Sequence, residues 1–321
     1  MAAWRLPVVL CVLVAALWMP VALGAQLSKT IRFIVPLSAG GGADIIARII
    51  AEQVTQAQGI NVVVENRPGA GTAIGTEYVA RAEPDGATLL VTNPAFLINP
   101  LVRPQNYDPL KSFEPVCSLV NFPLFVVVKA DSLFHTLSDL VNAARSKPGA
   151  MTFASAGPYT ASHLALESLK VAAKMDVIFV PFAGTAPALA ALLGGHVQAL
   201  YADYTSVAEQ LKSGALRALA VGSTKRFGNL PDVPTVEEAG YKDDDQESWN
   251  AVLAPAHTRQ DVLELLRRIV GEAGRSTSVR DKLALQGLVP GVTCGQEFDS
   301  VLRKQYDQYR HVIEVANLKA Q

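Results

Sequence analysis

Thr30-Ile31-Arg32-Phe33-Ile34-Val35, followed by Pro36-Leu37-Ser38-Ala39-Gly40-Gly41-Gly42, decides the fold. The first six residues are a β-branched and aromatic run ending at a proline, which reads as a strand. Small residues and glycines then make a loop, and Asp44 precedes Ile46, Ile49, Ile50 and Val54 at helical spacing. Strand, glycine loop, helix repeats at once: strand 61–64, loop 65–71, helix 72–81, then a third strand at 88–92. A second series opens with strand 124–129 and runs through helix 136–146, strand 152–154, helix 160–173 and strand 177–180. Helix 186–193, strand 197–201, helix 206–212 and strand 216–221 complete it. Residues 227–246 read as loop broken by one short helix, 249–253 as a strand, and three helical segments finish the chain. Alternation of this kind predicts an α/β fold with mainly parallel sheets flanked by helices.

The N-terminus sets the expected compartment. Arg5 is followed by an apolar stretch from Leu6 to Leu23, then small residues at Gly24 and Ala25. That order predicts a secretory signal over residues 1–25, cleaved near Gly24/Ala25. The competing reading is a membrane anchor, since the stretch is nearly long enough to span; Pro20 interrupts it. The expected mature chain of about 296 residues is long enough for two domains. Lys+Arg 28 against Asp+Glu 29, with no basic stripe, argues against a nucleic-acid partner. After signal removal Cys117 and Cys294 remain. They suit a disulfide in an oxidising compartment, but sequence leaves open whether they lie within bonding range.

Three loops share one design: Ser38-Ala39-Gly40-Gly41-Gly42, Gly69-Ala70-Gly71-Thr72 and Ser155-Ala156-Gly157. Each leaves the carboxyl end of a predicted strand, carries glycine or small hydroxyls, and opens a helix. Helix N-termini present unpaired N–H groups and partial positive charge, so such loops favour an anion. Each alone is equally well a tight turn; three in two successive α/β series point to one shared anion site. Gly69 to Gly75 superficially matches a dinucleotide fingerprint, but it follows the second strand rather than the first. No nucleophilic constellation stands out. Ser162 and His163 are helix neighbours whose side chains diverge by about 100°, and the five histidines show no metal-ligand spacing. Asp243-Asp244-Asp245 and Glu237-Glu238 read as solvated charges.

Read in order, these strings resemble the Bug (TctC-like) family of extracytoplasmic solute receptors. The resemblance rests on Pro36 to Gly41, Glu65-Asn66-Arg67-Pro68-Gly69-Ala70-Gly71, Tyr107-Asp108-Pro109-Leu110, and Gly157 through Ser162-His163-Leu164-Ala165. It continues with Val180-Pro181-Phe182 into Gly184-Thr185-Ala186-Pro187-Ala188, Leu193-Gly194-Gly195, Leu230-Pro231-Asp232-Val233-Pro234-Thr235 and Leu253-Ala254-Pro255-Ala256. It implies a two-lobe periplasmic-binding-protein fold of type II, with lobe one at residues 26–125 plus 251–321 and lobe two at 126–250. Crossovers are expected near Leu124 and Trp249. It also implies a small carboxylate held in the cleft by backbone amides, hydroxyls and water, without cofactor, metal or catalysis.

The loops and the resemblance together give the expected ligand contacts. In lobe one they are Leu37, Ser38, Ala39, Gly40, Gly41, Ala70, Gly71, Thr72 and Asn93. In lobe two they are Ser155, Ala156, Gly157, Tyr159, Thr160, Phe182, Thr185, Ala202 and Asp203. The implied partners are the permease subunits of a tripartite tricarboxylate-type transporter, with a monomeric receptor in the periplasm. The alternative is a ligand sensor that signals to a membrane protein without transport. Departures from the family pattern bear on the ligand: Leu37 for an aromatic, an added Gly42, Thr72 and Tyr159 for glycines, and Ala183 for a basic residue. Ala202 takes a place often held by Asp, which here follows as Asp203.

Overall fold

The computed structural model describes residues 28–242, 247–285, 288 and 290–318. The expected signal segment and the Asp243-Asp244-Asp245 run lie outside the described residues. Lobe one is built on the sheet β2(Asn61–Asn66)-β1(Thr30–Val35)-β3(Thr88–Thr92)-β9(Glu247–Pro255)-β4(Phe113–Lys129)-β10(Pro290–Cys294). Lobe two is built on β8(Leu216–Gly222)-β4-β7(Ala199–Asp203)-β5(Thr152–Ser155)-β6(Ile178–Pro181). Each lobe has a three-stranded parallel core, β2-β1-β3 and β7-β5-β6, as strand–helix alternation predicts. The remaining strands join antiparallel, so the sheets are mixed.

β4 is the shared element. Its first part lies between β9 and β10, whereas Leu124 to Val127 pair with β7 and Leu124 to Lys129 with β8. The crossover expected at Leu124 is therefore a single strand that enters one sheet and leaves through the other. β9 behaves differently: it pairs with β4 from Pro123↔Glu247 to Phe113↔Pro255 and with β3. Trp249 thus belongs wholly to the lobe-one sheet. Its ring is buried and its indole N–H donates to Gln305 Oε1 at 2.6 Å, which satisfies a group that could not otherwise be buried cheaply.

Both faces of each sheet are covered. In lobe one, α1(Gly42–Gln58) buries Ala43, Ile46, Ala47, Ile50, Ala51 and Val54, the i, i+3, i+4 stripe legible in the sequence. It ends at Gly59, whose φ of 66° permits the left-handed cap. α8(Gln260–Arg275) covers the same face, packing Leu266, Ile269 and Val270 against Val252 and Val116. The opposite face carries α2(Ala73–Ala80), α3(Ala95–Val102) and the long α10(Gln296–Val315). In lobe two, α4(Leu137–Ser146) and α5(Ala161–Ala173) cover one face, and α6(Thr185–Leu193) and α7(Tyr204–Lys212) the other. α4 starts with a full capping box, Thr136 and Asp139. Leu164 of α5 joins the cluster of Trp249, Phe298 and Tyr309, so the lobes also touch behind the cleft. Between α8 and α10, α9(Thr277–Leu285) and then β10 complete the chain's secondary structure among the described residues. A disulfide joins Cys117 of β4 to Cys294 of β10, directly opposite each other in the ladder.

Candidate functional site

A cavity of about 460 Å³ opens between the two sheets. Its floor is β4 at the crossover: Phe122 and Leu124 line it, and the strand registers put Ser248 of β9 beside Phe122 and Asp203 of β7 beside Leu124. The walls are loops at the carboxyl ends of parallel strands, where open α/β sheets bind ligands. Leu37, Ser38, Gly41, Gly42 and Ala43 follow β1, and Asn93, Pro94 and Ala95 follow β3. From lobe two come Ala156, Thr160, Ala161 and Ser162 after β5, Thr185 after β6, and Ala202 and Asp203 at the end of β7. Asn250 of β9 completes the lining.

Five helices, α1, α3, α5, α6 and α7, begin on this wall. Among the described lining residues there is no Lys, Arg or His. Positive potential in the cavity thus comes from backbone N–H groups and helix dipoles, each worth up to about 2 kcal/mol toward an anion in a partly buried setting. The one acidic residue of the described lining, Asp203, is engaged locally. It caps α7, accepting from the Ser206 N–H at 2.9 Å and from the hydroxyls of Ser206 and Thr205.

The loop after β1 is held by Asp44, a residue that the glycine pattern did not single out as functional. Its buried carboxylate accepts from the Gly40 N–H at 2.8 Å, from Asn66 Nδ2 at 2.9 Å and from Arg48 Nε at 3.0 Å. Asn66 Nδ2 also donates to the Leu37 carbonyl at 3.1 Å. The loop after β5 is knotted by hydroxyls. Thr160 Oγ1 caps α5, accepting from the His163 N–H and donating to the Gly157 carbonyl at 2.8 Å, while Ser162 Oγ accepts from the Ala156 N–H at 3.3 Å. Gly157 has φ +134°, and a Cβ there would stand 2.8 Å from the Phe182 carbonyl oxygen. Gly157→Ala is expected to lower stability by about 2–5 kcal/mol, combining backbone strain with an unyielding contact. Urea unfolding of the variant checks this.

Half of the expected contacts line the cavity, and the rest have identifiable reasons not to. Leu37, Ser38, Gly41, Asn93, Ala156, Thr160, Thr185, Ala202 and Asp203 are on the wall. Ala39 and Gly40 form an exposed loop tip, the latter turned to Asp44. Ser155 is buried beneath its loop, bonded to Gly157; Gly157 backs onto Phe182, whose side chain packs on the cluster of Ala188 and Leu192 instead of lining the cavity. Ala70, Gly71 and Thr72 face α3 instead: Asn99 Nδ2 donates to the Gly71 carbonyl and to Thr72 Oγ1, and Arg103 closes over Gly71. Tyr159 adopts φ 58°, donates its N–H to His163 Nδ1 at 3.1 Å and packs on the cluster around Trp249 and Phe298. Ser162, Ser248, Asn250, Phe122 and Leu124 were not foreseen.

His163 does not activate Ser162. Its ring stacks on Phe179 at 4.0 Å between centroids, accepts from Tyr159 and lies 3.6 Å from Glu167. Burial would raise the Glu167 carboxyl, but His163 and Lys170 beside it outweigh that and hold it below the usual range. The same holds for Asp44, where burial is outweighed by bonds from Arg48, Gly40 and Asn66. Carboxyls depressed in the folded state bind fewer protons than in the unfolded chain, so their stabilisation is complete above their unfolded values of about 4 and is lost as pH falls through the folded values. Stability is therefore expected to fall steeply in acid, and less so in Asp44→Asn, which a pH series of denaturant melts would show.

A larger groove of about 640 Å³ lies on lobe one alone, beside α2. Its arginines are already engaged: Arg32 bonds Tyr78 and Thr88, Arg67 bonds Glu65 and covers the Tyr78 ring at 3.8 Å, and Arg81 pairs with Glu77. The interlobe cavity, in contrast, is where the helices begin.

Two α/β lobes joined by a through-running strand, with a cleft walled by helix N-termini, define a solute-binding protein. The chain belongs to the tripartite tricarboxylate transporter family of receptors, whose model matches residues 46–318. It is 31% identical over 303 residues to protein BugT of Bordetella pertussis, covering 94% of this chain and 93% of that one. Among solved structures it is similar to Rpa4515 of Rhodopseudomonas palustris with adipate, at TM-score 0.77 and 29% identity over 90% of this chain and 98% of that one. It is likewise similar to MatC (Rpa3494) of the same species with bound malate, at TM-score 0.73 and 27% identity, over 88% and 98%. The family is one of periplasmic solute-binding receptors rather than enzymes. No helix among the described residues is long and apolar enough to cross a membrane.

Proposed function

We propose that this chain is an exported receptor that captures a small carboxylate-bearing metabolite between its lobes and delivers it to the permease subunits of a tripartite tricarboxylate-type transporter. The observation that carries the reading is the interlobe cavity itself, where five helices begin and no cationic side chain lines the described wall. Such a wall attracts a carboxylate through backbone donors while leaving side chains free to sort one acid from another. The adipate and malate held by the two similar structures support the ligand class. Lobe two rotates against lobe one about the β4 crossover. Export follows cleavage near Gly24/Ala25, and the receptor works as a monomer.

A thermal-shift screen of small mono-, di- and hydroxycarboxylates identifies the ligand: at 100 times its dissociation constant a binder adds about 2.7 kcal/mol to stability. Uptake of that labelled acid by cells with and without the intact gene then tests transport. Uptake that depends on the gene is the expected result. Binding without any change in uptake would favour a sensor.

A further inference from the structure

The loop after β5 is held by a side chain whose grip depends on its protonation state. Thr160 is the N-cap of α5, so His163 stands at the third helical position. A capping box places Glu or Gln there, to accept a backbone N–H from the start of the helix. His163 does this with its ring: Nδ1 accepts from the Tyr159 N–H at 3.1 Å, while the His163 backbone N–H donates to Thr160 Oγ1 at 3.3 Å. The hold matters, because Tyr159 has φ 58°, a left-handed conformation that a residue with a Cβ keeps only where its surroundings enforce it. Cavity-lining residues flank Tyr159 on both sides, Ala156 before it and Thr160, Ala161 and Ser162 after it.

A Gln at this place would accept at any pH. An imidazole accepts at Nδ1 only while neutral, and an imidazolium has two donors and no acceptor. Phe179 of β6 stacks on the ring at 4.0 Å between centroids, and the Tyr159 ring stands edge-on at 6.0 Å. The charged groups beside it are Glu167, 3.6 Å from Nε2, and Lys170, which bonds Glu167. Glu167 faces Nε2, which leaves Nδ1 as the acceptor, and it also offers a protonated ring its counter-charge. His163 is buried and lies outside the cavity lining, so its action on a ligand runs through the loop.

We propose that His163 is a positioning residue for ligand capture: its neutral ring holds the loop 156–162 in the shape that receives a carboxylate, and protonation, by turning Nδ1 into a donor against the Tyr159 N–H, loosens the loop and weakens binding in mild acid. This rests on the carboxylate reading of the cavity and adds a pH dependence to it. The sign follows from linkage. The capturing state excludes the proton, so affinity falls as pH falls through the titration of the ring, by up to about tenfold per pH unit, and ligand binding expels a proton. Histidine is the side chain that ordinarily changes charge between pH 5 and 8.

The test is calorimetry between pH 8 and 5.5 with succinate, malate, glutarate and adipate, on the wild type, His163→Asn and Glu167→Gln. Asn brings an amide oxygen close to the place of Nδ1 and does not titrate. The ratio of wild-type to His163→Asn affinity cancels the titration of the diacid itself. That ratio should fall by about 3–10-fold from pH 8 to pH 5.5. At pH 7, where the diacids are ionised, wild-type binding should release a fraction of a proton, read from the dependence of the heat on the buffer's ionisation enthalpy. Glu167→Gln removes the counter-charge and should move the fall in affinity to lower pH. A flat ratio would overturn the inference and leave the carboxylate reading standing. Where His163→Asn does not fold, wild-type binding at pH 7 without proton release does the same. A ratio that rises in acid would overturn it too, by making the ring a cation for the ligand rather than an acceptor for the loop. No binding by any of the four diacids across the range would sink the carboxylate reading, and this inference with it.

Discussion

The double variant Cys117→Ala/Cys294→Ala unfolds about 5–15 °C below the parent protein. The disulfide ties β4 to β10 across a sequence separation of 177. That loop contains the whole of the lobe-two sheet beyond β4's first part, together with β9, α8 and α9. Opening it returns the conformational freedom of the entire insertion to the unfolded chain, about 5 kcal/mol by the chain-entropy relation and about 2–5 kcal/mol as usually measured. Cys117 is fully buried beside the Arg267 carbonyl, so truncating it also costs packing. Differential scanning fluorimetry of the variant, and of the parent with reductant, should agree. Thiol titration of unfolded, unreduced mature protein should find no free thiol. A reduced parent that melts unchanged would show that the cross-link adds nothing to the paired strands.

Ala161→Asp is expected to abolish ligand capture without harming the fold. Ala161 is the first residue of α5 and lines the cavity. A carboxylate in the first turn of a helix is locally favourable by about 0.3–1 kcal/mol, so the unliganded protein should melt no lower than the parent. The same carboxylate competes for the helix start with the ligand's. Two like charges about 4 Å apart at an effective dielectric of about 20 repel by about 4 kcal/mol, or roughly 10³-fold in affinity. Ala161→Asn, of similar size and without charge, should lose far less. Calorimetry on both variants with the best screened acid separates charge from bulk. Equal losses in the two would mean that crowding, not the anion field, governs the site.

The elements that could be read from sequence are those whose signal is local. β1 needs only its β-branched run, α1 its apolar stripe and Gly59, α4 its capping box. The failures follow from long-range causes. The first part of β4 contains Pro115, Asn121 and Pro123, which break a strand pattern, yet β9 and β10 hold it in the ladder. α3 is apolar nearly all round and contains Pro100, so it shows no helical period; it forms because it is packed between the sheet and α10. β10 begins Pro290-Gly291 and exists through its pairing with β4. In the site, the glycine loops after β1 and β5 were legible as loops that wall the cleft. The loop 69–72 has the same composition, but Asn99 and Arg103, far along the chain, claim its inner side. Asn250 carried no signal at all: within a strand it is one polar residue, and its place beside the crossover depends on the register of β9 against β4.

The account stands most directly on whether the cavity recognises a carboxylate by its charge. Calorimetric titration of the best screened acid against its carboxamide, same carbon skeleton and same buffer, measures that difference alone. The helix N-termini predict that the acid binds at least about 100-fold more tightly, the worth of two or three partly buried helix starts acting together. A carboxamide that binds as well as the acid would contradict the account.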